Sequence, residues 1–333
     1  MTSSKDVAKM AGVSQATVSR VMNNPESVKP ETRKKVQDAM AKLRYQPNLI
    51  ARSLVTKSSR TIALISGTLK NDFFVETTDT IVNIAASRGY STMVYFEGGA
   101  KLQDILNSII GYKVDGVLLS SIKLDDPFFK EIEASGIPYM LFNRRPHSGG
   151  NYVVLDNQLA GEMLARHLLE LGHRRIAYIS GEINISTFYE RKIGFEKAMG
   201  LAKIAIDKDL VHFKENTSAT EIEKLTSKLM NLPNPPTAII CATDEMALNC
   251  MNTIMAMGFG IPNDVSVAGI DDITISSHQA IQLTSVGQHK FKMGEIAVEQ
   301  LIEMIEQGDI YQKPKQIVFS PELFIRQTTG PKT

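Results

Sequence analysis

From residue 61 onward the chain repeats one unit, a short apolar run followed by a stretch of helical period. The runs fall at Thr61–Ser66 (TIALIS), Ser91–Phe96 (STMVYF), 115–120, 137–142 and Tyr152–Leu155. A long helical segment, 157–171, interrupts them, and they resume at 175–180, 237–242 and 265–269. Runs of four to six residues bounded by turn residues read as buried strands. Helices between most of them leave one solution, parallel sheets with right-handed crossovers. Gly89 closes the helix expected at 74–88, and Gly172 closes the one at 157–171. The expectation is an α/β protein in which 60–155 and 157–285 form two similar halves. A helix near 290–306 and apolar segments at 316–319 and 323–328 follow.

Composition excludes several classes. Of 333 residues 43% are hydrophobic and 22% charged, which is ordinary for a globular chain and too apolar for a disordered one. No window of about 18 uninterrupted apolar residues exists, so no transmembrane helix is expected. The start, MTSSKDVAKMAGVS, lacks an apolar export segment. Two cysteines, Cys241 and Cys250, make no disulfide framework and fit a cytoplasmic protein. The net charge of +1 conceals a division. Residues 1–60 hold 12 basic and 4 acidic side chains, whereas the rest hold 25 and 32. A head of charge +8 on a body of −7 fits a polyanion-binding module, and equally a solvated positive surface.

The head decides between these. Residues 5–11 carry Val7, Met10 and Ala11 on one helical face, Gly12 breaks the helix, and Ser14 stands where an N-cap belongs. A second helix, 15–22, puts Val18, Val21 and Met22 inward and ends at Asn23-Asn24-Pro25. A third, 31–43, buries Val36, Met40 and Leu43. Two short helices joined by a glycine turn and braced by a third make helix-turn-helix geometry. The polar face of the second helix offers Gln15, Ala16, Ser19 and Arg20, types that suit base edges in the major groove. Ser14, Thr17 and the helix N-terminus suit phosphate. A three-helix bundle without function would need neither that face nor the charge.

KDVAKMAGVSQATVSRVMNN, then VKPETRKKVQDAMAKLRYQPN, then ARSL resemble the amino-terminal signature of the LacI/GalR family of bacterial transcription regulators, without a gap from Lys5 to Leu54. Ser4 departs from the pattern, standing where the family usually has an aliphatic residue, which would loosen the first helix. The resemblance implies that 47–55 is a hinge helix that orders on operator DNA, with Leu54 as a minor-groove wedge. Asn23, Tyr45, Arg52 and Leu54 complete the candidate DNA-binding set. The body resembles the family's regulatory core in RKIGF (191–195), PTAIICATDEMAL (236–248), IPNDVSVAGIDD (261–272) and LTSVGQ (283–288). That likeness implies a small all-α helix-turn-helix head (1–46), a hinge and linker (47–60) and two doubly wound α/β subdomains of periplasmic-binding-protein type I. One subdomain would take 61–156 and 289–321, the other 157–288 and 322–333. A homodimer, a pseudo-palindromic operator and a small-molecule effector, a sugar or sugar derivative, are the implied partners. The final RQTTGPKT carries no heptad extension, which favours a dimer over a tetramer.

Open α/β sheets bind ligands beyond the carboxyl ends of their strands. The residues there are Asp72, Phe73, Arg144, Asp156, Arg191, Thr243, Asp244 and Asp271. Carboxylates and arginine suit vicinal hydroxyls, and a phenyl ring can cover a sugar or a base. Asp156 and Asp244 have an alternative role as helix caps. Phe73 and Phe74 are adjacent, so only one is expected to face the ligand, with Phe73 preferred. No phosphate loop, nucleophile elbow or zinc-spaced His/Cys cluster occurs, so neither catalysis nor a cofactor is expected.

Two alternatives stand beside the repressor. A sugar-binding receptor without DNA function would leave residues 1–60 unexplained. A catabolite-control-type regulator would dock a phosphorylated carrier protein, but Glu295, Glu299, Glu303 and Glu306 on the 291–307 helix would repel one. The lean is therefore to a small molecule.

Overall fold

The structure is a computed structural model that describes residues 2–45, 58–96, 101–288, 292–308 and 313–332. The expected hinge helix, with Arg52 and Leu54, lies outside the described residues. The chain divides into two compact units, Met1–Ser59 and Arg60–Thr333.

The first unit holds α1 (Ser4–Ala11), α2 (Gln15–Asn23) and α3 (Pro30–Lys42). Ser3 and Asp6 form a reciprocal capping box at the start of α1. Gly12 then adopts φ 66°, the left-handed conformation that turns the chain into α2. Ser14 caps α2, its Oγ accepting from Thr17 N at 3.1 Å. Pro30 fits the first turn of α3, where an N–H has no intrahelical partner. Val7, Ala8, Val18, Val21, Val36 and Ala39 make the core. One expectation fails here. Met10 is 50% exposed and Ala8 is buried in its place, because the longer α2 and α3 pack on the side of α1 that carries Val7 and Ala8.

The second unit holds two six-stranded sheets. The first comprises β1 (Thr61–Ser66), β2 (Ser91–Phe96), β3 (Gly116–Leu119), β4 (Tyr139–Phe142), β5 (Tyr152–Leu155) and β11 (Gln316–Phe319). Their order is β11-β5-β4-β3-β1-β2, and every pairing is parallel. The second comprises β6 (Ile176–Ser180), β7 (Val211–Phe213), β8 (Ala238–Cys241), β9 (Ser266–Asp271), β10 (Thr284–Gly287) and β12 (Glu322–Phe324) in the order β12-β10-β9-β8-β6-β7. Here β12 runs antiparallel to β10. It is reached from β11, in the other sheet, through Ser320 and Pro321 alone. The strand expected at 323–328 is three residues long.

The helices between strands are α4 (Asp72–Ser87), α5 (Leu102–Tyr112), α6 (Pro127–Ala134), α7 (Asn157–Glu170), α8 (Ser186–Leu201), α9 (Ala219–Met230), α10 (Asp244–Ala256) and α11 (Lys292–Gln307). Helix α4 starts two residues earlier than expected because Asn71 caps it, accepting from Phe73 N at 2.9 Å. Strands β7 and β10 were not anticipated. The first is three residues long. The second, TSVG, buries Thr284 and Ser285 completely, which only hydrogen-bond partners elsewhere in the fold permit.

Helix α11 packs on the first sheet through Val298, Leu301 and Ile302. Its outer carboxylates are partly neutralised: Glu299 meets Arg88 at 3.7 Å, Glu303 meets Lys315 at 2.8 Å and Glu306 meets Arg60 at 3.3 Å. The repulsive surface expected there is weaker than its sequence implies.

Helices α7 and α8 cross at backbone contact. A Cβ on Gly161 would lie 2.1 Å from Arg191 O, and one on Gly194 would lie 1.9 Å from Gln158 O. Gly194→Ala should therefore destabilise the second unit by about 1–3 kcal/mol in urea unfolding. Gly200→Ala, on the same helix with nothing within 4 Å of the added carbon, should cost nothing. Equal effects would show that α7 and α8 do not need the close crossing.

Candidate nucleic-acid interface and ligand cleft

Helix α2 presents Ser14, Gln15, Ala16 and Arg20 to solvent, with Thr17 and Ser19 half-buried. Asn23 ends the helix, and its side chain lies outside the described residues. Tyr45 packs partly against the head's core, so its ring is less available than expected. The departure at Ser4 has a structural use. Its Oγ accepts from Gln15 Nε2 at 2.8 Å, tying the first residue of α1 to the first residue of α2. The hydroxyl that replaces an aliphatic side chain thus links the two helices by a polar contact.

In each sheet the strand order reverses once, between β3 and β1 and between β8 and β6. The carboxyl ends of those strands face a cleft of about 440 Å³, a volume suited to a small organic ligand. Chain segments from both sheets close round it. Lys123 Nζ reaches Glu182 at 2.9 Å, Leu124 N donates to Asn184 O at 2.7 Å, and Thr274 N donates to Glu76 at 3.0 Å.

Arg191 is the centre of the floor. It is 2% exposed, and its guanidinium reaches three elements. Nε donates to Asn157 Oδ1 at 2.9 Å, one terminal nitrogen donates to Ala242 O, and the other meets Asp271 Oδ1 at 2.8 Å. Burial pushes the Asp271 carboxyl up, and Arg191 pulls it back toward the charged form. Asp271 has φ 134° and Asp272 φ 48°, a backbone conformation that costs about 1–3 kcal/mol per residue and recurs where ligands are held.

Five of the eight expected cleft residues line it: Phe73, Arg144, Arg191, Thr243 and Asp271. Three do not. Asp156 caps α7, accepting from Leu159 N at 2.9 Å. Asp72 sits exposed in the first turn of α4 beside the cap Asn71. Asp244 is wholly buried and faces away from the cleft. Its carboxylate accepts from Ser285 Oγ at 2.6 Å, Ser276 Oγ at 2.7 Å and Ile273 N at 3.1 Å, and so secures the loop behind Asp271. Burial and the neighbouring Asp271 push its carboxyl up to about 7.

The aromatic lining also differs from expectation, since both Phe73 and Phe74 contribute. They pack edge to face, centroids 5.3 Å apart. Phe74 lies over Gly67, and Phe188 lies in the same way over Gly181 in the other half. The two pairs come from one repeated pattern, A-x-I-S-G followed seven residues later by Phe, at 63–74 and 177–188. That internal repeat would have found Phe188, which lines the cleft. Lys123, Glu182 and Lys214, on loops without a motif, gave no comparable signal.

The comparisons with known proteins agree with this architecture. Residues 4–48 match the family model for bacterial regulatory proteins of the lacI family, and 165–329 match a periplasmic binding protein-like domain. The HTH-type transcriptional repressor PurR of Glaesserella parasuis serovar 5 (strain SH0165) is 32% identical over 335 residues, covering 98% of each chain. The PurR of Vibrio parahaemolyticus serotype O3:K6 (strain RIMD 2210633) is 33% identical over the same length, with the same coverage. The chain belongs to the lacI family of bacterial regulatory proteins. As a member of that family it is a DNA-binding transcriptional repressor, and its relatives are repressors rather than enzymes. Solved neighbours of this family include a lac repressor dimer bound to operator and the anti-inducer ONPF, with TM-score 0.86, 28% identity and 99% of each chain covered. A transcriptional regulator CelR–cellobiose complex aligns with TM-score 0.73 and 29% identity over 98% of this chain and 100% of that one. Among the described residues no helix is long and apolar enough to cross a membrane, and no acidic or thiol–imidazole group could hold a metal ion.

The raised Asp244 carboxyl makes a stability prediction. The folded protein holds that proton to about pH 7, whereas an unfolded aspartate releases it near 3.8. The contribution is therefore full below about pH 4 and is lost as pH rises toward 7. Asp244→Asn should flatten the fall in Tm between about pH 5 and pH 7 relative to the unmodified chain. Parallel Tm curves would show that Asp244 is charged throughout.

Proposed function

We propose that this repressor is controlled by a small molecule, a sugar or sugar derivative, bound in the cleft. The Arg191–Asp271 pair carries the reading: it is a fixed donor–acceptor couple on the cleft floor, the chemistry that vicinal hydroxyls match. The sugar ligand named for the CelR neighbour supports the same class. Phe73, Phe74 and Phe188 favour a second reading, a flat nucleobase stacked among the rings.

In this proposal two cytoplasmic protomers, each with a head at 1–46, a hinge at 47–60 and a core at 61–333, set their α2 helices in successive major-groove faces of a pseudo-palindromic operator. Gln15, Ala16, Ser19 and Arg20 face base edges, while Ser14, Thr17 and the helix N-terminus hold phosphates. Asn23, Tyr45, Arg52 and Leu54 complete the contact. Ligand changes the angle between the two lobes and so the separation of the hinges. Ligand affinity and operator affinity are then coupled in both directions. A phosphorylated carrier protein acting on α11 is the remaining regulatory alternative, and the ion pairs along that helix make it less disfavoured than the sequence alone does.

Two substitutions test the assignments. Arg20→Ala should cost about 1–3 kcal/mol of operator affinity and relax preference at one base pair, measured by anisotropy on duplexes varied one position at a time. Uniform weakening across all duplexes would make Arg20 a phosphate contact. Asp271→Asn keeps an acceptor for Arg191, so the core should stay folded, and if the ligand acts as an inducer, operator binding without it should persist. The response to ligand should be lost. An intact response would remove Asp271 from the effector site.

A further inference from the structure

An ion pair joins the two lobes outside the cleft. Arg145 follows β4 in the first lobe, and Glu190 lies in the second turn of α8 in the second. Nε and a terminal nitrogen of Arg145 both donate to Glu190 Oε1, at 2.9 and 2.8 Å. Neither Arg145 nor Glu190 lines the cleft.

The pair is one half of a clamp. Arg145 N donates to Ser186 Oγ at 2.9 Å. Ser186 and Glu190 are four residues apart, so they share one face of α8. The backbone and side chain of one residue therefore grip successive turns of that helix. Beside them Thr187 Oγ1 donates to Asn143 O at 2.9 Å. The grip is anchored in the first lobe, because the Arg145 guanidinium also lies over the Tyr152 ring of β5, 5.4 Å from its centroid. Burial and Asp156 push the Glu190 carboxyl up, whereas Arg145 and then Asn157 pull it back toward the charged form.

What the clamp holds is the floor of the cleft. Glu190 immediately precedes Arg191 in the chain. Asn157, which favours the charged Glu190, also accepts from Arg191 Nε at 2.9 Å. Arg191 in turn meets Asp271. A polar chain thus runs from the first lobe through Glu190 and Asn157 to the ligand-facing side chains.

We infer that Arg145 and Glu190 are positioning residues for the effector site: they tie the turn of α8 that carries Arg191 to the first lobe, and so make the placement of its guanidinium depend on how the lobes are joined. The inference rests on the reading of the cleft as the effector site, and adds regulation of that site by two residues outside it.

The test follows Arg191 in the full-length protein. Its Nε–H is observed by heteronuclear NMR, assigned from its contacts with Asn157, and its exchange with solvent is measured. The Nε–H of Arg175, which donates to Asn234 O before the start of β6, is the internal control. Arg145→Gln should speed exchange at Arg191 by about 10-fold or more and leave Arg175 unchanged. Arg145→Lys, which keeps a cation for Glu190, should restore most of the protection. Shortening Arg145 opens no hole in a packed core, because it already lines a second cavity, of about 360 Å³. In a binding arm, calorimetry identifies the tighter of two probes, cellobiose and adenine. Arg145→Gln and Glu190→Gln should each weaken that probe by about 3-fold or more, and the double variant by no more than either alone. Unchanged exchange at Arg191 overturns the inference. So does equal acceleration at Arg175, which marks general loosening of the fold, and so do losses that add in the double variant. The exchange arm needs no ligand, so it decides whether or not a probe binds. Failure of the effector-site reading looks different: exchange at Arg191 responds to Arg145, but Asp271→Asn leaves the probe's affinity unchanged.

Discussion

A guanidinium buried to 2% exposure organises the regulatory core. Removing such a charge from water costs several kcal/mol and is sustained only by well-placed partners. Arg191 has them in Asn157 at the start of α7, the carbonyl of Ala242 after β8, and Asp271 at the end of β9. The three partners hold the ends of separate elements in one place. The arrangement depends in turn on the α7–α8 crossing, which glycines at 161 and 194 permit. Replacing Asn157 or Asp271 by a side chain that cannot accept would leave a buried charge short of compensation, so the contacts that make the floor of the cleft polar also hold it in place.

Behind the floor, Asp244 and its two serines brace the turn that holds Asp271 and Asp272 at positive φ. That turn also carries Thr274, whose N–H meets Glu76 on α4 of the other lobe. The ligand-facing carboxylate and a cross-lobe contact therefore belong to one short segment. In the proposed mechanism a ligand that shifts Asp271 would act on the lobe closure through two intervening residues, Asp272 and Ile273. This supplies a local physical route from binding to lobe angle.

The alternation of apolar runs with helical stretches made both sheets legible, because parallel strands buried on two faces need continuous apolar sequence. The helix starts were legible where Ser14 and Asp156 cap them, whereas the cap Asn71 went unread and α4 begins earlier than expected. Strand β10 was hidden because its serine and threonine are buried through partners distant in sequence, Asp244 and Thr329. The antiparallel direction of β12 against β10 was not legible, because an apolar pattern carries no direction. In the site, Asp271 was recoverable from the end of its strand, whereas Arg191 lies inside α8 and was singled out by the family resemblance of RKIGF. Asp244 shares that junction signature, yet its side chain turns inward, and only the packing of the 272–277 turn reveals it. The four capping and cleft carboxylates look alike in sequence and separate only by which neighbours donate to them.

Energetic coupling between cleft and operator is read by linkage. A pseudo-palindromic duplex selected by the protein from random sequence serves as operator, and the tightest cleft ligand as effector. The ligand's Kd is measured with and without saturating duplex, and the duplex's Kd with and without saturating ligand. If cleft and operator are coupled, both ratios differ from one and agree with each other, at about 5- to 150-fold for a typical coupling of about 1–3 kcal/mol. Ratios of one in both directions would mean that ligand occupancy and DNA binding are independent in this chain.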